Sequence, residues 1–384
     1  MVFSVGPRMA SSSSSSAAIP MLHEIRKVEA RLGDACVKAV VLKIAATAEN
    51  REASIACSPG TVFDFYVNEE SFSGQRCVLE QKSSSIGTDE NAIVEIEVPP
   101  RCDISVHVGK GDVVVQGKLE GETIMLSSMS GDIVLSKVRG SNLQLRAPNG
   151  KIAVSSSLEG LNAAIRTSEF VAKRVMAKSM SVRCRTSFSA EAVYVDSLKI
   201  DCKRGSVSLG AVQGDATVNA GESIRIEDMD GSVNASAQSG NASVHFSSFG
   251  NDSKPSRIHA AECGDVNATV GSDPPWKAHV ASNGGQIKVP ADSTSISTNR
   301  EGFVVCKPEP RRNDDSRFGM ISGKVRTQKF SYPNGYDEDT NSLSLALRVV
   351  ASEGNASLEV LSWKEMLMRK FSPGDALDDD SKNK

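Results

Sequence analysis

A short β-strand pattern that recurs at a nearly fixed step constrains this chain more than any other feature. Each copy reads apolar–x–apolar and is bounded by Gly, Asp, Asn or Ser. One set starts at Val113, Ile133, Ile152, Phe170, Phe188, Val207, Ile224 and Ala242, with steps of 20, 19, 18, 18, 19, 17 and 18. A second starts at Ile124, Leu143, Ala163, Met180, Leu198, Ala216 and Val233, with steps of 19, 20, 17, 18, 18 and 17. The sets interleave, so the unit is two strands and two turns in about 18 residues, and self-similarity at such a step marks a repeat architecture.

The physics of one unit follows from strand alternation, which puts residues i and i+2 on the same face. In GDIVLSK, Ile133 and Leu135 point one way and Val134 the other. Corners need positive φ or a side chain that bonds its own backbone, hence Gly with Asp or Asn. One coil cannot close a core, so coils stack and pair backbones. The reading is an all-β repeat β-solenoid of about nine to ten coils, a rod near 45 Å at ~4.8 Å per strand. Val113, Ile133 and Ile152 should share a column, as should Ile124, Leu143 and Ala163. Cys184 and Cys202 should be column neighbours, as free thiols. Ala216, Ala235, Ala242, Ala260 and Ala268 should narrow the core toward its end. The competing fold, an antiparallel β-sandwich, also has short strands and frequent turns but does not require equivalent positions to recur.

The flanks read as covers for exposed stack ends, which otherwise invite aggregation. Residues 1–35 read as a disordered or transit-like Ser-rich N-terminus, 36–100 as a β-strand cap region and 101–300 as the solenoid. Residues 301–340 read as an irregular loop, 341–372 as C-terminal strands with a capping helix, and 373–384 as an acidic tail. Val114 and Val134 form an outward apolar ladder, and the 37–100 segment is expected to pack on it. The helix rests on Ser362 with Glu365 at capping-box spacing, Trp363, Met366, Leu367 and Phe371 at helical spacing, and Pro373–Gly374 beyond.

Composition excludes some classes. With 44 Lys+Arg against 47 Asp+Glu the net charge is −3, unlike a protein that coats nucleic acid. No apolar run approaches the roughly 20 residues of a membrane-spanning helix. Eight cysteines are scattered with no CxxC pair, which suits free thiols in a reducing compartment. The N-terminus lacks the apolar stretch of a secretory signal, carries Arg8 and has no acid before Glu24. This leans toward a mitochondrial or other organellar address, otherwise a cytoplasmic one. Five N-x-S/T sites are the chance product of a Ser-rich chain.

The repeats Gly111–Val115, Gly131–Leu135, Gly150–Val154, Gly205–Leu209 and Gly264–Ala268 resemble the putative-adhesin domain, a β-solenoid domain common in bacteria. The G-x-x-S-L-x-V strand that runs into Ser362–Trp363 is similar to eukaryotic relatives called family with sequence similarity 185, member A. The resemblance covers about 100–300, and the C-terminal strands more loosely. It implies a fold and brings no catalytic or binding residues.

Candidate chemistry is sparse. Gly-Asp corners occur at Asp112, Asp132, Asp215 and Asp265. Asp112 and Asp132, one step apart, would stack their carboxylates, an arrangement that suits calcium or the acid/base pair of a β-helical polysaccharide enzyme. Aromatics at 5% are few for a sugar cleft, so the simpler role is turn capping. His259, Cys263, His245 and His279 make no recognised metal motif. No nucleophile elbow, phosphate loop or dinucleotide fingerprint is present. Residues 166–204 carry nine bases and four acids, net +5. Arg146, Arg166 and Arg183 each follow the second core residue of a strand, and with Lys199 they form a candidate basic interaction face. The expectation is a non-enzymatic scaffold or adhesin-like interaction module without cofactor or metal. Its partner would be a protein or an anionic surface, not a specific nucleic acid. The alternatives are a carbohydrate-active enzyme and a structural protein that self-assembles through its ends.

Overall fold

The computed structural model describes residues 25–44, 54–57, 64–70, 74–80, 93–249, 255–271, 278–282, 285–289, 297–298, 304–306, 347–361 and 365. The chain divides into two compact units, Met1–Ala220 and Gly221–Lys384.

The first unit contains β1 (Ile25–Ile44), β2 (Ser54–Cys57), β3 (Asp64–Glu70), β4 (Gly74–Glu80) and β5 (Ile93–Val98), then the long β6 (Asp103–Ser130), β7 (Ile133–Cys184), β8 (Ser187–Cys202) and β9 (Ser206–Ala220). From β6 onward the chain winds as stacked parallel rungs. Val113 pairs with Ile133 and Ile124 with Leu143. Phe170 pairs with Phe188 and Met180 with Leu198, and these continue to Val207 and Ala216. Both sequence-predicted columns are therefore real, and the antiparallel sandwich is excluded for these rungs. All of these residues are buried, because a two-residue period on a parallel stack gives each inward side chain a like neighbour above and below.

The unit is richer than two strands per coil. A third inward column runs Leu119–Val138 and Val175–Val193–Val212, one apolar residue per coil. A further inward place on the strands of the second set is filled by Ser128, Ala147, Thr167, Cys184 and Cys202. Phe170 and Phe188 stack inside with centroids 4.9 Å apart.

The N-terminal segment departs from the expected cap. β1 begins at Ile25, ahead of the boundary expected at 35 for a disordered or transit-like N-terminus; residues 1–24 lie outside the described residues. β1 is a full rung. It pairs in parallel with β6 on one edge (Val28 with Ile104, Val40 with Val113) and with β4 and β5 on the other. The β4 and β5 edges beyond are covered by antiparallel β3 and β2. The 37–100 segment thus stacks on backbone edges and does not cover the outward ladder: Val134 remains 41% exposed.

The second unit holds β10 (Ile224–Ala237), β11 (Ala242–Phe249), β12 (Ser256–Ala260), β13 (Val266–Gly271), β14 (Ala278–Ser282), β15 (Ile287–Lys288), β16 (Ser297–Thr298), β17 (Val304–Cys306), β18 (Leu347–Ala351) and β19 (Ala356–Leu361). β10 pairs in parallel with β11 and β12, and β11 with β13. The next rung is not the next in sequence. β18 pairs in parallel with β12 on one side and β14 on the other, and β19 lies likewise between β13 and β15. The C-terminal strands are an interior rung, which corrects the expectation of a strand cap. The covering role falls to β17, antiparallel to β14 and to β16. The expected helix over 362–372 lies, apart from Glu365, outside the described residues, as do the acidic tail and most of the 301–340 loop.

Candidate basic face and corner ladder

The four predicted cations all point outward, since each alternates with buried neighbours: Arg146 between Leu145 and Ala147, Arg166 between Ile165 and Thr167, Arg183 between Val182 and Cys184, Lys199 between Leu198 and Ile200. Asn162 Nδ2 donates to Asn142 Oδ1 at 3.4 Å, which fixes adjacent rungs in register and places Arg166 beside Arg146. Arg183 holds the same place one rung on. The fourth place in this column is Asp201, opposite Arg183, whereas Lys199 lies opposite Ser181 in the neighbouring outward column. The structure thus brings three arginines into a ladder and sets Lys199 beside it. Rungs are ~4.8 Å apart, so three guanidinium stems rise from about 10 Å of surface.

The acid in register with this ladder is Asp201, opposite Arg183. Some other cations of the first unit are matched. Arg101 and Lys118 meet Glu120, Lys137 and Arg139 meet Glu159, and Lys151 meets Glu169 at 2.9 Å. The hydrogen bond from Lys118 holds the Glu120 carboxyl below its usual range despite some burial. Burial pushes Glu159 up, but hydrogen bonds from Ser157 and Lys137 outweigh it and keep the carboxyl low. Arg185 is used structurally: its guanidinium donates to the Pro148 carbonyl and to Asn149 Oδ1 at 3.2 and 3.3 Å. Among the described residues, no ion pair engages Arg146, Arg166, Arg183 or Lys199.

The Gly-Asp corners have a different occupation. Asp112 Oδ1 accepts from the Asp132 backbone N–H at 2.8 Å, and Asp132 Oδ1 from the Lys151 N–H at 2.7 Å. Each carboxylate thereby caps the next rung, the turn-capping role weighed from the sequence. The second unit repeats the device: Asn241 accepts from Asp265 N–H, Asp265 from Asn355 N–H, and Asn355 from Gln286 N–H. Asp215 belongs elsewhere. It pairs with Ser197 at the start of a second-set strand, so it is not a member of the Asp112–Asp132 corner, which precedes first-set strands. The preceding glycines stack so closely that a Cβ on Gly131 would lie 2.1 Å from the Gly111 carbonyl oxygen, and one on Gly354 2.2 Å from that of Gly264.

The histidines do not converge on a metal site; among the described residues no group of three His, Cys, Asp or Glu could hold an ion. His259 Nε2 lies 3.4 Å from Ser352 Oγ, and the Cys263 thiol donates to the Glu353 carboxylate at 3.3 Å. Burial, then Arg257 and Arg348, lowers the His259 pKa. Burial, then Arg348, brings His279 down to about 4. Sequence reasoning missed that residues near 352 meet residues near 260. A signal was available: GNASLEV (354–360) repeats GNASVHF (240–246).

Comparisons place this architecture. A family model described as Toastrack DUF4097 matches residues 66–304. The match excludes β1 and β18–β19, the two rungs that enter out of sequence order. No curated protein matches the chain. Among solved structures, one described as a putative adhesin from Bacteroides fragilis aligns with 9% identity and a TM-score of 0.30, over 91% of this chain and 98% of that one. One described as a putative cell adhesion protein from Clostridium sporogenes aligns with 8% identity and a TM-score of 0.19, over 91% and 99%.

Proposed function

We propose that this chain, which belongs to the Toastrack DUF4097 family, is a non-catalytic β-solenoid interaction module that docks an anionic partner through Arg146, Arg166, Arg183 and Lys199. The observation that carries this reading is the ladder just described: Arg146, Arg166 and Arg183 rise from neighbouring rungs with Lys199 beside them, and among the described residues none of the four is in an ion pair, whereas Lys118, Lys137, Arg139 and Lys151 are. A stack of rungs with a packed apolar interior holds such charges at fixed spacing, so little ordering entropy is lost when a partner binds. An unmatched cluster of one sign steers and retains an opposite charge.

The reading of Asp112 and Asp132 as an acid/base pair is less well supported, because each already has a carboxylate oxygen committed to a backbone N–H. Growth through the stack ends is disfavoured by the antiparallel strands β2, β3 and β17 on their outer edges. We extend the proposal to kinship with the proteins called family with sequence similarity 185, member A, and to an organellar address. Imaging an N-terminally intact tagged form tests the address. Among the described residues no helix is long and apolar enough to cross a membrane.

The decisive experiment captures partners from the native cell with the intact chain and with Arg166→Glu/Arg183→Glu. The control, Lys137→Glu/Arg139→Glu, makes the same change in charge on the paired rim. Loss of capture in the first variant alone, with wild-type capture weakening as salt rises, is the expected result. Equal capture by all three proteins refutes the basic face.

A further inference from the structure

Cys184 ends β7 and Cys202 ends β8, and the register sets them directly opposite on neighbouring rungs. Both side chains face the interior, 4% and 1% exposed. Parallel strands lie about 4.8 Å apart, inside the roughly 4.4–6.8 Å Cα range that a disulfide spans. Register and strand spacing therefore put the two cysteines within the Cα span of a disulfide.

Their surroundings differ in a way that suits stepwise chemistry. The Cys184 thiol donates to the Asp201 carbonyl and the Cys202 thiol to the Ser206 carbonyl, each at 3.9 Å. The interaction between the two thiols, followed by burial, raises the Cys184 pKa; the same interaction lowers the Cys202 pKa, burial opposes it, and the backbone N–H groups of Gly205 and Arg204 in the following turn reinforce it. The thiolate is the nucleophilic form of cysteine, so Cys202 is the sulfur that attacks and Cys184 the one that resolves. Cys202 is also one residue from the exposed Lys203, at the rim of the stack.

We propose that Cys184 and Cys202 form a two-thiol oxidation site that hydrogen peroxide converts to an inter-rung disulfide. The Cys202 thiolate attacks one peroxide oxygen. The O–O bond breaks, hydroxide leaves and is protonated to water by the proton that the Cys202 thiol released on ionising, and Cys202 becomes a sulfenic acid. The Cys184 sulfur then attacks the Cys202 sulfur. The S–O bond breaks, and the hydroxyl leaves with the Cys184 proton as water. Two thiols lose two electrons, and one peroxide is reduced to two waters.

The two other cysteines whose side chains are described lack these features. Cys102 is buried with its thiol on the Pro99 carbonyl at 3.4 Å. Cys263 is exposed, and its hydrogen bond to the Glu353 carboxylate raises its pKa, against thiolate formation. Neither sits opposite another cysteine in the described register. The inference does not depend on the basic face, although the disulfide would join the rung of Arg183 to that of Lys199.

The test treats the intact, reduced protein with graded hydrogen peroxide, then quenches, denatures, alkylates and maps peptides by mass spectrometry. The expected product is a cross-linked peptide pair through Cys184 and Cys202, lighter than the two reduced peptides by two hydrogens and reversed by a reducing agent. In Cys184→Ser, Cys202 should be trapped by dimedone as its sulfenic acid. In Cys202→Ser, Cys184 should oxidise at least tenfold more slowly than in the wild type. A Cys184→Ala variant repeats the first arm should the serine disturb the core. The proposal falls if both thiols stay alkylatable at a dose that oxidises Cys263. It also falls if they reach sulfinic acid without the cross-link, or if Cys184 reacts equally fast without Cys202.

Discussion

The two units build rungs from the same rules but fill and order them differently. In the first, from β6 to β9, each rung leads directly into the next and the interior carries large side chains, among them Phe170, Phe188, Ile133 and Leu135, all nearly inaccessible. In the second, more places hold alanine (Ala235, Ala237, Ala242, Ala260 and Ala268, all buried), set among larger residues such as Ile224, Ile258, Leu347 and Phe246, the last stacked 4.8 Å from Phe249. Its last rungs are also assembled across long sequence separations, with Asp265 capping Asn355, 90 residues away. The first unit has its own displaced rung in β1, inserted between β4–β5 and β6. The comparison teaches that the rung interior and the rung order are separate choices. Any segment with apolar residues at the right alternate positions and a compatible corner can occupy a slot, because the pairing groups are backbone.

The largest test of this difference deletes residues 341–384. β18 and β19 leave, and β12 and β13 lose partners that bury Leu347, Val349 and Leu358, each worth about 1.5–3 kcal/mol. Amide hydrogen exchange should show protection lost across β12–β15 and kept in β7 and β8. Protection retained in β14 would show that the C-terminal rung does not hold the terminal coil.

Next in size are core substitutions of opposite sense. Phe188→Ala should destabilise the first unit by about 3–5 kcal/mol, through lost transfer energy and the cavity left behind. Ala235→Leu should destabilise the second by about 1–3 kcal/mol, through overpacking. Urea unfolding of each variant measures both. If Ala235→Leu stabilises, the alanine column is under-filled and the two interiors are less different than their composition suggests.

Acid should act on the second unit first. His279 pairs with Arg348 of the inserted rung, whose other neighbour is Arg257, so a protonated His279 adds a third cation to that column. Its pKa falls from 6.5 to about 4 in the folded chain. The unfolded chain binds the proton more readily, so this contribution to stability is complete above pH 6.5 and is lost as pH falls toward 4. The loss should be roughly 2–3 kcal/mol after allowance for partial solvation. Melting followed between pH 7 and 4 should show it, and His279→Gln should flatten the profile. An unchanged slope in that variant removes His279 as the cause.

The smallest effect concerns the shared corner. Asp132→Ala strands the Lys151 N–H, and Asp265→Ala strands that of Asn355. Each should cost about 1–2 kcal/mol, and Asn at either site should recover most of it. A larger loss at Asp265 than at Asp132 would show that the out-of-order rung depends more on its cap. Equal losses would show that the corner is indifferent to chain order.

Much of this fold was legible. The alternation and steps that begin at Val113 and Ile124 predicted the parallel columns, and the Gly-Asp corners predicted backbone capping. The outward placement of Arg146, Arg166 and Arg183 followed from the same period. The third column through Leu119, Val138 and Val175 escaped notice because one apolar residue per coil makes no alternation. Lys199 was assigned to the arginine face, whereas turn lengths that vary from rung to rung shift it one column over and put Asp201 in line.

The sequence by itself determined what a rung is, because side-chain alternation and glycine corners are local properties that each coil repeats. Only the tertiary structure decided which rung lies on which. Backbone hydrogen bonding accepts any strand of matching pattern, so chain continuity did not dictate that residues 25–44 and 347–361 would enter between coils already made elsewhere. That Asp201 rather than Lys199 falls opposite Arg183 was likewise a matter of register, settled by which side chains the stacking brought face to face.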